Sequence, residues 1–426
     1  MMHKPLVVGL TAALLAMPAL AAPSTEEMWK IIQQQQEQIR VLQQQLEKQQ
    51  TQLHETDIKV EATATAVETV SASSSGLDNW AAKTTVGGYA EMHYNNLENQ
   101  NNVPGKDNDK NEIDFHRFVV FLGHEFNDRL RFFSEIELEH SVAGDDQNGE
   151  VELEQAYIEY DLSDTQHATA GLFLVPVGIL NETHEPNTFY GVERNNVEKN
   201  IIPTTWWEGG VALGGEVVPG VGYDIAVTSG LGLDTDVTGV PATYDYKVRD
   251  GRQKVSEAEA NALAYTGRLK YTGIAGLELA TTVQYQQDIY QDNFIDALGN
   301  REDIDAWLYE AHAVYESGPF GLRALIARWD INNDIEQVAL GANVQEGWYI
   351  EPSWRFSEAV GVFTRYSEWD NQAGAGGNNT RYEEWDVGIN YWLHEQVVLK
   401  ADYQFQNAPK GNDAYDGFNL GIGVSF

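Results

Sequence analysis

The sequence predicts an all-β protein, a transmembrane antiparallel barrel of about sixteen strands, preceded by an N-terminal α-helical coiled coil. Three observations carry this. The chain opens on an export signal, and no later stretch is apolar for long enough to cross a bilayer as a helix. Runs of period-two alternation fill residues 84–426. The connections between those runs alternate in length, short then long, as they do when one end of a barrel faces the periplasm and the other the outside.

Residues 1–22 read as a signal peptide. Lys4 gives the positive start, Leu6 to Leu15 the apolar stretch, and Ala19-Leu20-Ala21 the small-residue cleavage site, so the mature chain is expected to begin near Ala22 or Pro23. Residues 23–70 follow. Ile32, Ile39, Leu46, Leu53, Val60 and Val67 recur every seven residues, and Gln35, Leu42, Gln49, Thr56, Thr63 and Val70 occupy the second heptad position. β-Branched, Gln and Thr residues at the seam lean towards three strands, so this segment is expected to be a periplasmic trimerising coiled coil, with a Gln-rich linker as the alternative. Ser71 to Gly76 breaks the heptad, and residues 71–83 read as a hinge.

Composition suits a barrel. Hydrophobic residues make up 42% and aromatics 11%, with 38 Gly to serve turns. Lys and Arg number 27 against 65 Asp and Glu, a net charge of −38 that disfavours nucleic acid. The Cys count of 0 excludes disulfides and thiol chemistry.

Strands are expected near 84–95, 113–126, 129–140, 151–162, 167–175, 207–218, 221–230, 262–272, 275–290, 306–316, 320–331, 346–357, 359–370, 381–393, 395–407 and 415–426. Short turns include Asn127-Asp128, Pro219-Gly220, Gly273-Ile274, Ser317-Gly318-Pro319 and Leu393-His394. Alternation assigns faces. Tyr265, Leu269, Trp348, Ile350, Leu399 and Phe405 should meet lipid. Arg131, Glu135, Glu137, Arg268, Lys270, Arg355, Lys400 and Asp402 should line the lumen. Trp207, Trp307, Trp369, Trp385, Tyr391 and Tyr415 fall near strand ends and are expected in the interfacial girdles. The last strand places Phe418, Leu420, Ile422, Val424 and Phe426 on one face. The terminal Phe426 is expected to be read by the barrel-insertion machinery.

A barrel of about sixteen strands encloses water, so a long connection is expected to narrow it. One choice is 176–206, with His184, Glu185, Glu193, Arg194, Glu198 and Lys199 as constriction residues; its alternative role is a surface loop touching lipopolysaccharide or a neighbouring barrel. The other is 231–261, where Lys247, Arg249, Arg252 and Lys254 form the densest basic cluster and a possible anion site. Ser256-Glu257-Ala258-Glu259-Ala260 after it suggests a short helix.

Gly87-Gly88-Tyr89, Arg117-Phe118-Val119-Val120, Ala156-Tyr157-Ile158-Glu159-Tyr160, the Phe-x-x-Pro-x-Gly stretch from Phe173 to Gly178, and Trp207-Glu208-Gly209-Gly210 together resemble the phosphate-selective porin O and P family. The resemblance covers roughly residues 84–426. It implies a homotrimeric porin in the outer membrane of a Gram-negative bacterium, surrounded by lipid and lipopolysaccharide, passing small hydrophilic solutes and ions by diffusion. It also implies anion selectivity, which rests in that family on inward Arg and Lys residues. Here Leu174 and Val175 occupy a stretch where a basic residue is expected in some relatives, and inward acids, which also include Glu91, Glu139, Glu278, Glu310, Glu351 and Asp386, outnumber inward bases. A cation-leaning lumen is therefore expected, with a phosphate or anion preference as one alternative and a plugged structural or adhesive barrel as another. No catalytic motif, cofactor motif or complete metal-binding pattern is present in the sequence, so no enzyme activity, cofactor or metal is assigned.

Overall fold

The computed structural model describes residues 80–101, 109–144, 147–233, 247–294, 301–332, 341–375 and 379–426. The chain divides into two units, Met1–Ala82 and Lys83–Phe426, of which the second is the barrel. The signal peptide, the heptad segment and the hinge as far as residue 79 lie outside the described residues. Among the described residues no helix is long and apolar enough to cross a membrane.

The barrel strands are β1 Thr84–Asn99, β2 Lys110–Asn127, β3 Leu130–Glu139, β4 Val151–Ser163, β5 Gln166–Leu174, β6 Trp207–Val218, β7 Val221–Thr228 and β8 Ala264–Ile274. They continue as β9 Leu277–Gln286, β10 Ala306–Ser317, β11 Phe320–Ile331, β12 Val344–Arg355, β13 Val360–Asp370, β14 Tyr382–His394, β15 Val397–Asn407 and β16 Tyr415–Ser425. Each pairs antiparallel with its sequence neighbours, and β1 pairs with β16 to close the barrel. The seam is completed by the C-terminal residue: Gly88 and Phe426 exchange backbone hydrogen bonds of 3.0 and 2.9 Å. Closure leaves no unpaired edge, which is what a lipid environment demands of a sheet.

The expected strands and the alternation of short and long connections are present, with ends shifted by a few residues. The turn expected at Gly273-Ile274 lies at Ala275-Gly276, and that at Leu393-His394 lies at Glu395-Gln396. Gly276 holds φ at 76°, and a Cβ there would meet the Glu316 carbonyl oxygen at 2.0 Å, so only glycine fits this turn.

Register fixes the faces. Leu269 and Ile326 are each 58% exposed on the outer surface, while polar Glu91, Gln284 and Asn419 are buried inside. An apolar exterior around a polar interior is the inverse of a water-soluble protein and suits a lipid surround. Trp307, Trp385 and Tyr391 are exposed on the outer face as expected. Trp369 departs from expectation: it lies opposite Gly347 on the inward register, buried and stacked on Tyr382 at 5.1 Å. Trp207 is also buried, with the Arg252 guanidinium 6.0 Å from its ring. Trp369 serves interior packing, whereas Trp207 keeps the outward register of Val211, opposite Leu174, and is covered by the connection that carries Arg252 and Val255.

Residues 256–260 are irregular, and among the described residues of this connection the helical turn is the 3-10 turn Val248–Gly251. Lys254, Val255 and Glu257 have φ of 51°, 55° and 55°, a left-handed backbone that a right-handed helix cannot include.

Candidate functional site

The connection 175–206 descends into the barrel. Its only helix is the short α1, Asn196–Asn200, capped by the Asn195 side chain, which accepts from the Glu198 amide at 2.8 Å. The segment carries more apolar residues than a surface loop needs. Val175, Val177, Ile201, Ile202 and Trp206 join Leu308, Ala327, Trp329 and Tyr349 of the wall, and Leu231 and Val248 of the next long connection, in one buried cluster. That burial seats the segment against the barrel wall and sets the site.

Polar contacts pin it at successive points. Trp329 Nε1 donates to the Ile201 carbonyl at 2.8 Å, and the Tyr349 hydroxyl donates to Glu198 Oε1 at 2.8 Å. Asp402 Oδ2 accepts the Val192 amide at 2.6 Å, and Lys400 Nζ donates to the Gly191 carbonyl at 2.8 Å. Lower down, Arg323 donates to the Thr188 carbonyl at 2.7 Å, and Ser425 donates to Asn187 Oδ1 at 3.1 Å. Ser425 and the 318–319 turn mark the short-turn end, so the segment spans most of the lumen's depth. At its tip a cavity of about 170 Å³ is lined by Asn187, Phe189, Tyr190, Arg323, Arg355 and Trp392.

The expected constriction residues divide by role. His184 is buried, with Nε2 at 3.3 Å from Glu135 and 3.5 Å from Glu154. Burial disfavours its charge, but the two carboxylates prevail and raise its pKa to about 10. Glu198 is buried, and Oε2 accepts the Ile179 and Leu180 amides at 2.9 and 2.6 Å. Burial raises its pKa in spite of these hydrogen bonds. Glu193 reaches His93 at 2.9 Å and accepts from Asn95 at 3.2 Å. Arg194 donates to the Thr205 hydroxyl at 2.6 Å. Glu185 is half-buried and Lys199 exposed.

The expected lumen charges all fall on the inward register, but several hold the segment instead of facing water. Arg268 pairs with Glu182 of the segment and with Asp224 of the wall. Glu135 bonds His184, while Lys400 and Asp402 take the contacts given above. Glu137 is buried, 3.7 Å from Arg117. The charges more open to the lumen are Arg131, paired with Glu159 and Asp161, Lys270 beside Glu278 at 3.9 Å, and the exposed Arg355.

In the sequence Arg117 stands only as part of a strand pattern. It is fully buried, with Nε donating to Glu91 at 2.6 Å, Nη1 to the Tyr89 hydroxyl at 3.0 Å and Nη2 to the His184 carbonyl at 2.9 Å.

The basic cluster of residues 247–254 closes over the segment's end. Arg249 donates to the carbonyls of Lys199 and Thr204 at 2.9 and 2.8 Å, and Arg252 to that of Thr205 at 2.5 Å. Burial and the neighbouring Arg252 and Arg194 guanidiniums pull the Arg249 pKa down to about 9. Lys254 is neutralised by Glu150, at 2.7 Å, and Glu152. Lys247 stands half-buried at the start of the 3-10 turn. Arg194, Arg249 and Arg252 therefore gather opposite the inward acids of β3 and β4.

A sequence family described as Gram-negative porin matches residues 62–411. An uncharacterised protein of Aquifex aeolicus (strain VF5) is 28% identical over 362 residues, 78% of this chain and 78% of its own length. The outer membrane channel DcaP of Acinetobacter baumannii has a similar structure, with TM-score 0.55 and 13% identity over 80% of this chain and 97% of its own. The anion-selective porin from Comamonas acidovorans also aligns, with TM-score 0.55 and 12% identity over 80% of this chain and 99% of its own. At such identities the two structures show a shared fold.

Proposed function

This chain belongs to the Gram-negative porin family, and from that premise we propose a water-filled outer-membrane channel narrowed by residues 176–206 and leaning towards cations. It is a porin for passive diffusion of small hydrophilic solutes and ions. Family and fold point to a channel and not to an enzyme. The observation that carries the constriction is the seating of the segment from the buried apolar cluster at the long-connection end to Ser425 at the other.

The cation preference follows from the acid surplus on the inward register. That register adds Arg117, Arg323 and Arg365 to the inward bases, but it also adds Asp114, Glu152, Glu159, Asp161, Asp224 and Glu384 to the acids. A surplus of one sign on low-dielectric walls concentrates the opposite ion. Screening over a Debye length of about 8 Å at physiological salt keeps the preference modest.

A second reading is favoured by Arg194, Arg249 and Arg252, which crowd together at the long-connection end. Such a cluster would form a local site for phosphate or another anion within an otherwise acidic channel, the property of the phosphate-selective O and P porins. The homotrimer, the coiled coil of residues 23–70 as a periplasmic stalk, and the signal peptide of residues 1–22 belong to the same proposal. They rest on the heptad and the signal pattern.

Liposome swelling tests the diffusion reading. Vesicles carrying the purified protein should swell in small sugars at rates that fall with solute size. Rates equal to those of protein-free vesicles would refute it.

A further inference from the structure

We propose that the inner wall carries a transition-metal site centred on His116, able to tie the constriction segment to the barrel. Three histidines from three strand regions meet here. His93 stacks on His116 at 4.7 Å between ring centres with an interplanar angle of 18°, and His140 meets His116 edge-on at 5.6 Å. Two donor sets share His116: His93, His116 and Glu193 form one, Asp114, His116 and His140 the other. Within each set the donor atoms lie within 4.8 Å of one another.

Both sets are two imidazoles and one carboxylate, the combination that binds iron, zinc, nickel or copper with positions left for water. A calcium or magnesium site would be built from oxygens. Asp114 Oδ2 alone meets His116 Nδ1 at 3.1 Å and His140 Nδ1 at 2.8 Å, so two ring nitrogens converge on one oxygen. Two neutral rings can each donate Nδ1–H to that oxygen, and a divalent ion held by the same three atoms would take the place of those two protons. Glu91, also 3.4 Å from His93, is engaged by Arg117 and is not counted as a donor.

The side chains of His116, Asp114 and His140 are 23%, 24% and 35% exposed, so an ion has access from water. Glu193 belongs to the segment 176–206, whereas His93 and His116 belong to the wall. Occupancy of that donor set would fasten the segment and alter the current. The metal site stands on its own geometry; only this effect on current rests on the channel reading.

The test is Co²⁺ absorption on the full chain folded in detergent, with Zn²⁺ as competitor. It needs no conduction, so its failure is distinct from failure of the channel reading. One saturable Co²⁺ per barrel, displaced by Zn²⁺ but not by Mg²⁺, is expected. His116→Ala should weaken it by at least about tenfold, and His394→Ala at the short-turn end of β14 should leave it unchanged. Asp114→Asn and Glu193→Gln, nearly isosteric, report which set dominates and cover the case of a His116 variant that does not fold. Absence of saturable uptake, or equal binding by the parent protein and His116→Ala, would overturn the proposal. So would unchanged affinity when both carboxylate substitutions are combined.

Discussion

Tyr349 of the barrel wall donates its hydroxyl to Glu198 at 2.8 Å, and the same carboxylate accepts two amides at the start of the segment that Glu198 helps to end. One buried side chain thus joins both limbs of the constriction segment to β12. Glu198→Gln keeps the shape but replaces one carboxylate oxygen with a donor, which must face either the two amides or the Tyr349 hydroxyl and the Asn195 amide. Looser seating is expected, read as larger current fluctuations with the barrel's electrophoretic heat-resistance retained. A quiet channel in that variant would show that the carboxylate does not position the segment.

Trp329→Ala should act in the same direction and more strongly. The indole fills the apolar cluster and donates to Ile201, and truncating a buried tryptophan costs about 3–5 kcal/mol. The cost falls on the docking of the segment more than on the barrel hydrogen bonds. Protease accessibility of residues 176–206 should rise while the barrel resists cleavage.

A pH effect follows from His184. Its raised pKa means that the protonated ring, paired with Glu135 and Glu154, stabilises the folded segment in full below the ordinary histidine value of about 6.5. That contribution declines as pH climbs and is lost on passing about 10. Hydrogen exchange in the segment should therefore quicken towards pH 10 beyond its intrinsic base catalysis. His184→Gln should exchange fast already at neutral pH and show little further change. A parent protein with pH-independent protection would contradict this.

The barrel was legible in the sequence because lipid imposes period two on one face and closure imposes parity on the connections. The interior was less so. Trp369 and Trp385 look alike at a strand end, and only register sends the first inward and the second outward. Lys400 and Asp402 were placed on the lumen wall by alternation, but their engagement by Gly191 and Val192 depends on a segment remote in sequence. The sequence signal for that segment is apolar. Ile201-Ile202 and Trp206-Trp207 within a long connection indicate a loop with something to bury against. His93, His116 and His140 lie on three strand regions, so their meeting appears only once the strands are paired.

At the barrel seam, Phe426 is 56% exposed on the outer face, its ring 6.2 Å from that of Phe118. Phe426→Asp places a charge at that lipid boundary and removes the aromatic end proposed as the insertion signal. Less protein in the outer membrane and more in the periplasm are expected, measured by fractionation. Unaltered surface levels would show that the terminal ring carries no such signal.

The proposed stalk is tested by deleting residues 28–75. Trimers should dissociate at lower temperature while conductance per barrel persists, because the β1–β16 pairing closes the wall without that segment. Loss of conduction in properly inserted protein would instead make the stalk part of the pore.

The most direct test is the zero-current potential of single channels in a planar bilayer under a potassium chloride gradient. Stepwise currents are expected, with a potential of the sign for potassium preference that shrinks as both salt concentrations rise. Absence of steps would contradict an open channel. A strong chloride-sided potential, abolished by neutralising Lys247, Arg249, Arg252 and Lys254, would contradict the cation-leaning lumen.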